Sequence, residues 1–297
     1  MTTPPAQPPG PAGAPPVTVL LDPDDDAAVM ATALAAHDPA AGHLVLHPTP
    51  VASRPASLAT DLLRSLGKEP PSTVHSTPIG PRLDWWATYG QHAWHAATAW
   101  IRTTPVHQLT VTRAHLLSTG AWQSLLALRA ATGLHLTVIC HQHPYVAPPA
   151  LTGIPHRILR AAPSTTRPKP TPRQQYPAGE TARIHRLAHP EQAAALALAL
   201  AAGTARTCSR TPTATDIDPA AGTLQLRGRA RPTVPLPAWT QPFLHAERAF
   251  ASLHTGQPPH DGHTVYRLAF AYTEDELALL ARRCDLTLPT PAQRGRS

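Results

Sequence analysis

Two short stretches of this sequence concentrate side chains capable of chemistry. Asp22-Pro23-Asp24-Asp25-Asp26 sets four carboxylates in a row of five residues, directly after the apolar run Val17-Thr18-Val19-Leu20-Leu21. At that density carboxylates serve either as oxygen ligands for a cation or as anions at the positive N-terminus of a helix. The alternation of Asp22, Asp24 and Asp26 would suit a cation, but the Gly and distal Glu of a calcium loop are missing. Capping of the alanine-rich helix that follows, from Ala27 to His37, is therefore the expected role. The second stretch is His141-Gln142-His143, after the apolar Thr137-Val138-Ile139-Cys140. With His115, these imidazoles would meet at one edge of a sheet, yet no carboxylate completes a ligand set there, and no metal or other cofactor is expected.

The charge balance is basic, 25 Lys+Arg against 18 Asp+Glu, and only Lys68 and Lys169 are lysines. Arginine clamps phosphate bidentately, which makes its clusters candidate nucleic-acid contacts. Arg157, Arg160, Arg167, Lys169 and Arg173 gather around a Pro-rich stretch, and Arg227, Arg229 and Arg231 alternate as at the end of a strand. Each cluster has a plainer alternative as solvated surface charge. DNA bound through its phosphates, largely without sequence preference, is the partner these arginines imply.

Cys140, Cys208 and Cys284 lie far apart with no CxxC spacing, so neither a zinc knuckle nor a disulfide framework is indicated. The first residues lack a charged start followed by an apolar block, and the apolar Ala193 to Ala202 is too short to span a bilayer. A cytoplasmic protein without membrane attachment is expected. Trp85, Trp86, Trp94 and Trp100 share one segment with helical spacing, which reads as a core helix with an aromatic face; base stacking is the functional alternative.

The elements that must position these groups follow from periodicity. Val17 to Leu21 and His43 to His47 read as buried strands, and Ser57 to Gly67 as a helix stopped by its glycine. Leu109 to Thr112 ends a further apolar run, Thr119 to Arg129 is a helix closed by Thr132-Gly133, and Leu134 to Cys140 is a strand. Strand, helix, glycine stop and strand is the signature of a parallel crossover.

The phrase Leu109-Thr110-Val111-Thr112-Arg113-Ala114-His115-Leu116-Leu117 resembles the acidic strand of P-loop ATPases, in which the two residues before Ala-His-Leu-Leu are carboxylates that hold Mg²⁺ and polarise water. Together with Leu62-Leu63-Arg64-Ser65-Leu66-Gly67-Lys68-Glu69-Pro70-Pro71, it is similar to transposon-associated AAA+ ATPases from about Val17 to Cys140. That resemblance implies a scaffold stripped of its chemistry. Thr112 and Arg113 stand at the acidic positions, and Asp22, Asp24, Asp25 and Asp26 stand where glycines and a lysine would cradle phosphate. His141 stands where the sensor of the γ-phosphate would lie.

From about Pro190 to Leu288, the phrases Asp216-Ile217-Asp218 and Val234-Pro235-Leu236-Pro237 resemble the catalytic domain of tyrosine recombinases, the phage-type integrases. In that alignment Ala205 and Cys208 replace the first catalytic Arg and the Glu after it, no His-x-x-Arg box is visible, and neither Tyr266 nor Tyr272 is a credible nucleophile.

The expected architecture is α/β. Residues 1–16 form a disordered Pro-rich tail, 17–160 a degenerate P-loop-like domain with a parallel sheet, 161–185 a Pro/Arg-rich linker, and 186–297 a smaller α+β, integrase-like domain. The expected function is that of a non-catalytic, DNA-associated accessory or regulatory protein of a mobile element, partnered by DNA and by a transposase or recombinase. A nucleotide-binding enzyme with a remodelled pocket and a protein-interaction scaffold are the alternatives.

Overall fold

In the computed structural model, five strands form one all-parallel sheet. They are β1 (Val17–Leu21), β2 (His43–Leu46), β3 (Gln108–Val111), β4 (His135–Cys140) and β5 (His156–Arg160), in the order β2-β3-β4-β1-β5. The residues described are 15–49, 54–70, 90–141, 148–161, 179–202, 217–218, 222–225, 233–255 and 272–288. Val17, Val19, Leu21, Leu44, Leu46, Leu109, Val111, Leu136 and Val138 are buried, the apolar content that a parallel sheet needs.

The described residues divide into two compact units, the first lying within Met1–Pro48 and Val106–Pro170, the second within Thr49–Pro105 and Thr171–Ser297. Beside the sheet, the first unit holds α1 (Ala27–Ala35) and α4 (Thr119–Thr132). Asp26 caps α1 by accepting from the Ala28 N–H at 2.8 Å, and Ser118 caps α4 by accepting from Ala121 at 3.2 Å. Gly133 ends α4 with φ 71°, a left-handed conformation natural to glycine, and returns its N–H to Arg129 O.

The second unit joins α2 (Pro55–Ser65) and α3 (Gly90–Arg102) to α5 (Glu180–His185), α6 (Pro190–Ala202), α7 (Gln241–Thr255) and α8 (Glu274–Arg283). Thus α2 and α3, which the sequence reading groups with the N-terminal domain, pack with helices from the far end of the chain: α3 lies against α7, and α7 against α6. Gly90 lets α3 approach α2, since a Cβ there would stand 3.0 Å from Ala56 Cβ. Backbone bonds sew the two sequence segments together, with Glu69 N donating to Arg186 O at 2.6 Å. The core is Leu58, Leu62, Leu63, Trp94, Trp100, Phe243 and Leu244, around the almost wholly apolar α6.

Trp94 and Trp100 are buried and commit their indole N–H groups to Pro55 O at 3.0 Å and Ala188 O at 2.7 Å. Base stacking is therefore closed to these two; Trp85 and Trp86 lie outside the described residues. Lys68 is buried with Nζ 3.2 Å above the Trp100 ring and donates to His185 O at 2.8 Å. Burial lowers its ammonium to about 7, while the indole face and the carbonyl both favour the charged form.

Three short strands, β6 (Ile217–Asp218), β7 (Thr223–Gln225) and β8 (Thr233–Pro235), pair antiparallel in sequence order. The phrase from Val234 to Pro237 thus pairs with β7 and then leads through a short 3-10 turn into α7. Tyr272 stands directly before Thr273, the N-cap of α8. Among the described residues, no helix is long and apolar enough to cross a membrane.

Candidate functional site

In open parallel sheets, ligands gather outside the carboxyl ends of the strands, where neighbouring connections leave in opposite directions. Here that position lies between β1 and β4, because the chain runs from β1 toward β2 at one edge and from β4 across β1 to β5 at the other. The two strands are tied at this end by Asp22 N donating to Cys140 O at 2.9 Å.

Beyond it the chain makes a tight turn at Pro23-Asp24, and Asp25 takes φ 48°. This conformation, rather than alternation along an extended strand, decides which carboxylates meet. Asp22 is 3% exposed. Its Oδ1 accepts from Asp26 N at 3.2 Å, and its Oδ2 lies 3.4 Å from His141 Nδ1. Asp25 Oδ1 is likewise 3.4 Å from His141 Nδ1, and its Oδ2 is 3.6 Å from Arg113. His141 Nδ1 also lies 2.9 Å from Asp22 O. Asp24 points to solvent and Asp26 caps α1, so the Asp22, Asp24 and Asp26 trio does not assemble.

Arg113 and Asp25 are both non-glycine residues in the left-handed region, at φ 50° and 48°. Each such residue costs on the order of 1 to 2 kcal/mol and persists only where the surroundings impose it. Both belong to this one network. His115 supports it from the 3-10 turn after β3: its Nδ1 accepts from the His141 N–H at 3.3 Å, and the two rings meet edge to face at 5.1 Å. Burial lowers the His115 imidazole below its ordinary range, the neighbouring His141 and Arg113 add to that, and Asp25 opposes it. Burial pushes the neighbouring Cys140 thiol up to about 12, out of range for a nucleophile at neutral pH.

Thr112 is fully buried, and its hydroxyl lies 2.7 Å from His47 Nδ1, at the end of β2, apart from the carboxylates. Arg157 and Arg160, expected at the linker, sit on β5, whose five residues are all exposed. Arg157 Nε donates to Thr18 Oγ1 at 2.9 Å. This strand escapes a periodicity reading because basic ends bracket only Ile158 and Leu159. Arg167, Lys169, Arg173, Arg227, Arg229, Arg231 and His143 lie outside the described residues.

A basic groove in the second unit has no local signal in the sequence. Arg102 at the end of α3, Thr103, Thr104, and His245, Arg248 and Ser252 of α7 line about 500 Å³ of open space. These residues are 140 or so positions apart along the chain, and only the packing of α3 on α7 joins them.

No protein-family model matches the sequence, and no curated protein is similar to it at a significant level.

Proposed function

We propose that this protein is a non-catalytic accessory factor: a P-loop-like α/β scaffold that has given up nucleotide chemistry and associates with DNA through basic surfaces. The observation that carries the reading is the occupation of the first-strand loop by its own carboxylates. Phosphate binding at a helix N-terminus depends on free amides and a positive dipole. In α1 the Ala28 amide is taken by Asp26 and the Asp26 amide by Asp22, with Asp24 and Asp25 beside them. A triphosphate would meet filled donors and a negative field. The strand order further supports the scaffold, since β1 and β3 both border β4, bringing the three loops that a γ-phosphate would have to touch to one place.

Mg-ATP is therefore expected to show no heat of binding in calorimetry and no turnover by phosphate release. Micromolar affinity would sink this reading in favour of a remodelled nucleotide enzyme.

The DNA part rests on the net charge of +7, the exposed Arg157 and Arg160, and the groove at Arg102 and Arg248. Binding followed by fluorescence anisotropy should weaken steeply between low and moderate salt, with the logarithmic slope set at about 0.9 per phosphate neutralised. Arg102→Ala with Arg248→Ala should lower that slope by roughly 2, and Ala at Arg227, Arg229 and Arg231 should flatten it further. An affinity indifferent to salt and to all five substitutions would point instead to a protein-interaction scaffold.

A further inference from the structure

The junction of β1 and β4 holds a carboxylate arrangement that helix capping does not explain. Asp22 is 3% exposed, and its Oδ2 is buried and accepts no hydrogen bond. An ionised oxygen so enclosed is costly unless a cation meets it. Arg113 does not reach it; that guanidinium lies against Asp25 Oδ2.

We propose that Asp22, Asp25 and His141 form a binding site for a divalent first-row cation of the Zn²⁺ or Mn²⁺ type. One ligand atom from each lies within 4.8 Å of the other two, and His141 Nδ1 is 3.4 Å from both Asp22 Oδ2 and Asp25 Oδ1. The backbone carbonyl of Asp22 accepts the His141 Nδ1–H at 2.9 Å and stands beside that nitrogen as a fourth ligand oxygen; ion binding displaces this proton to solvent. Separations of 2.9 Å and 3.4 Å from Nδ1 to the oxygens are those between neighbouring ligands on an ion with bonds of about 2.0 to 2.2 Å. An imidazole among oxygens selects borderline metals over Mg²⁺ and Ca²⁺, which prefer oxygen alone.

The surroundings hold each ligand by its far side. Asp22 Oδ1 is fixed by the Asp26 N–H and Asp25 Oδ2 by Arg113, leaving one oxygen of each carboxylate turned to the imidazole. The peptide N–H of His141 is anchored to His115. Such outer partners are what orient metal ligands. The site goes beyond the accessory function proposed above and needs no nucleotide.

The test uses the full chain, stripped with EDTA and desalted, titrated with Zn²⁺ by calorimetry and with Mn²⁺ by electron paramagnetic resonance, without ATP or DNA. One equivalent of each ion should bind, Zn²⁺ the tighter, and Zn²⁺ should raise the melting temperature. Asp25→Asn and His141→Gln should each weaken binding at least tenfold and abolish the thermal shift, while Asp24→Asn should change it less than twofold. Asp25 is exposed, so its variant tests the site even if Asp22→Asn fails to fold. Wild-type protein that takes up neither ion would overturn the proposal, leaving His141 as a structural side chain held between Asp22 and Asp25. Equal affinity in Asp25→Asn and His141→Gln would overturn it too, assigning the ion to other histidines. Either result leaves the ATP and DNA expectations untouched.

Discussion

Trp100→Ala is expected to lower the melting temperature of the second unit by about 10 °C or more. The side chain is 1% exposed, and truncating a buried tryptophan costs about 3 to 5 kcal/mol through lost burial and the cavity left behind. Two further losses act in the same direction. Ala188 O gives up the indole N–H that reaches it at 2.7 Å, and Lys68 gives up the aromatic face 3.2 Å below its ammonium. For a unit of this size, 1 kcal/mol corresponds to roughly 2 to 4 °C. Trp100→Phe keeps the ring and loses the N–H, so it should fall in between. A shift under 3 °C for the Ala variant, by calorimetry or far-ultraviolet dichroism, would contradict the central place given to this side chain.

Acid should destabilise the same unit well above the range where carboxylates titrate. His189 is buried, and that burial, with His92 and His254 nearby, pulls its imidazole down to about 3 from an ordinary 6.5. Burial and the same neighbours also lower His95. In the unfolded chain His189 takes up a proton below about pH 6.5, whereas in the folded protein it stays neutral until about pH 3. The unfolded state thus binds more protons throughout that window, and stability falls as pH drops through it, by about 1.4 kcal/mol per pH unit for this one group. Between pH 7 and 4.5 the His189 contribution should reach about 2 to 3 kcal/mol, read in urea titrations as the difference in slope between wild type and His189→Leu. His189→Leu should remove most of that slope; an unchanged slope would show that other groups carry it.

Glu247 opposes this trend. Its carboxyl is 1% exposed with Oε2 unbonded, and burial, followed by Glu191, holds it well above the usual carboxylate range. It therefore disfavours the folded state as pH rises above the carboxylate range, offsetting part of the histidine effect in that window.

Local chemistry made the individual elements of the first unit readable from sequence. Val17 to Leu21 and His135 to Cys140 are apolar enough to be buried on both faces, Ser118 and Gly133 carry the cap and stop of α4, and Asp26 is a side chain suited to an N-cap. The placing of Asp22 and His141 at strand ends follows from the same local rules. Proximity does not. Asp25 joins His141 because a left-handed residue turns the chain back, and Arg113 joins Asp25 because β3 lies beside β4. Neither the backbone angle at an aspartate nor the order of strands is written in periodicity. The same limit explains the second unit. Lys68, Trp100 and Ala188, or Arg102 and Arg248, are far apart in the chain and meet only when helices pack. Residue types and their local period determine which segments are strands and helices and which groups could act; long-range packing, selected by burial of the whole core, decides which of those groups face one another.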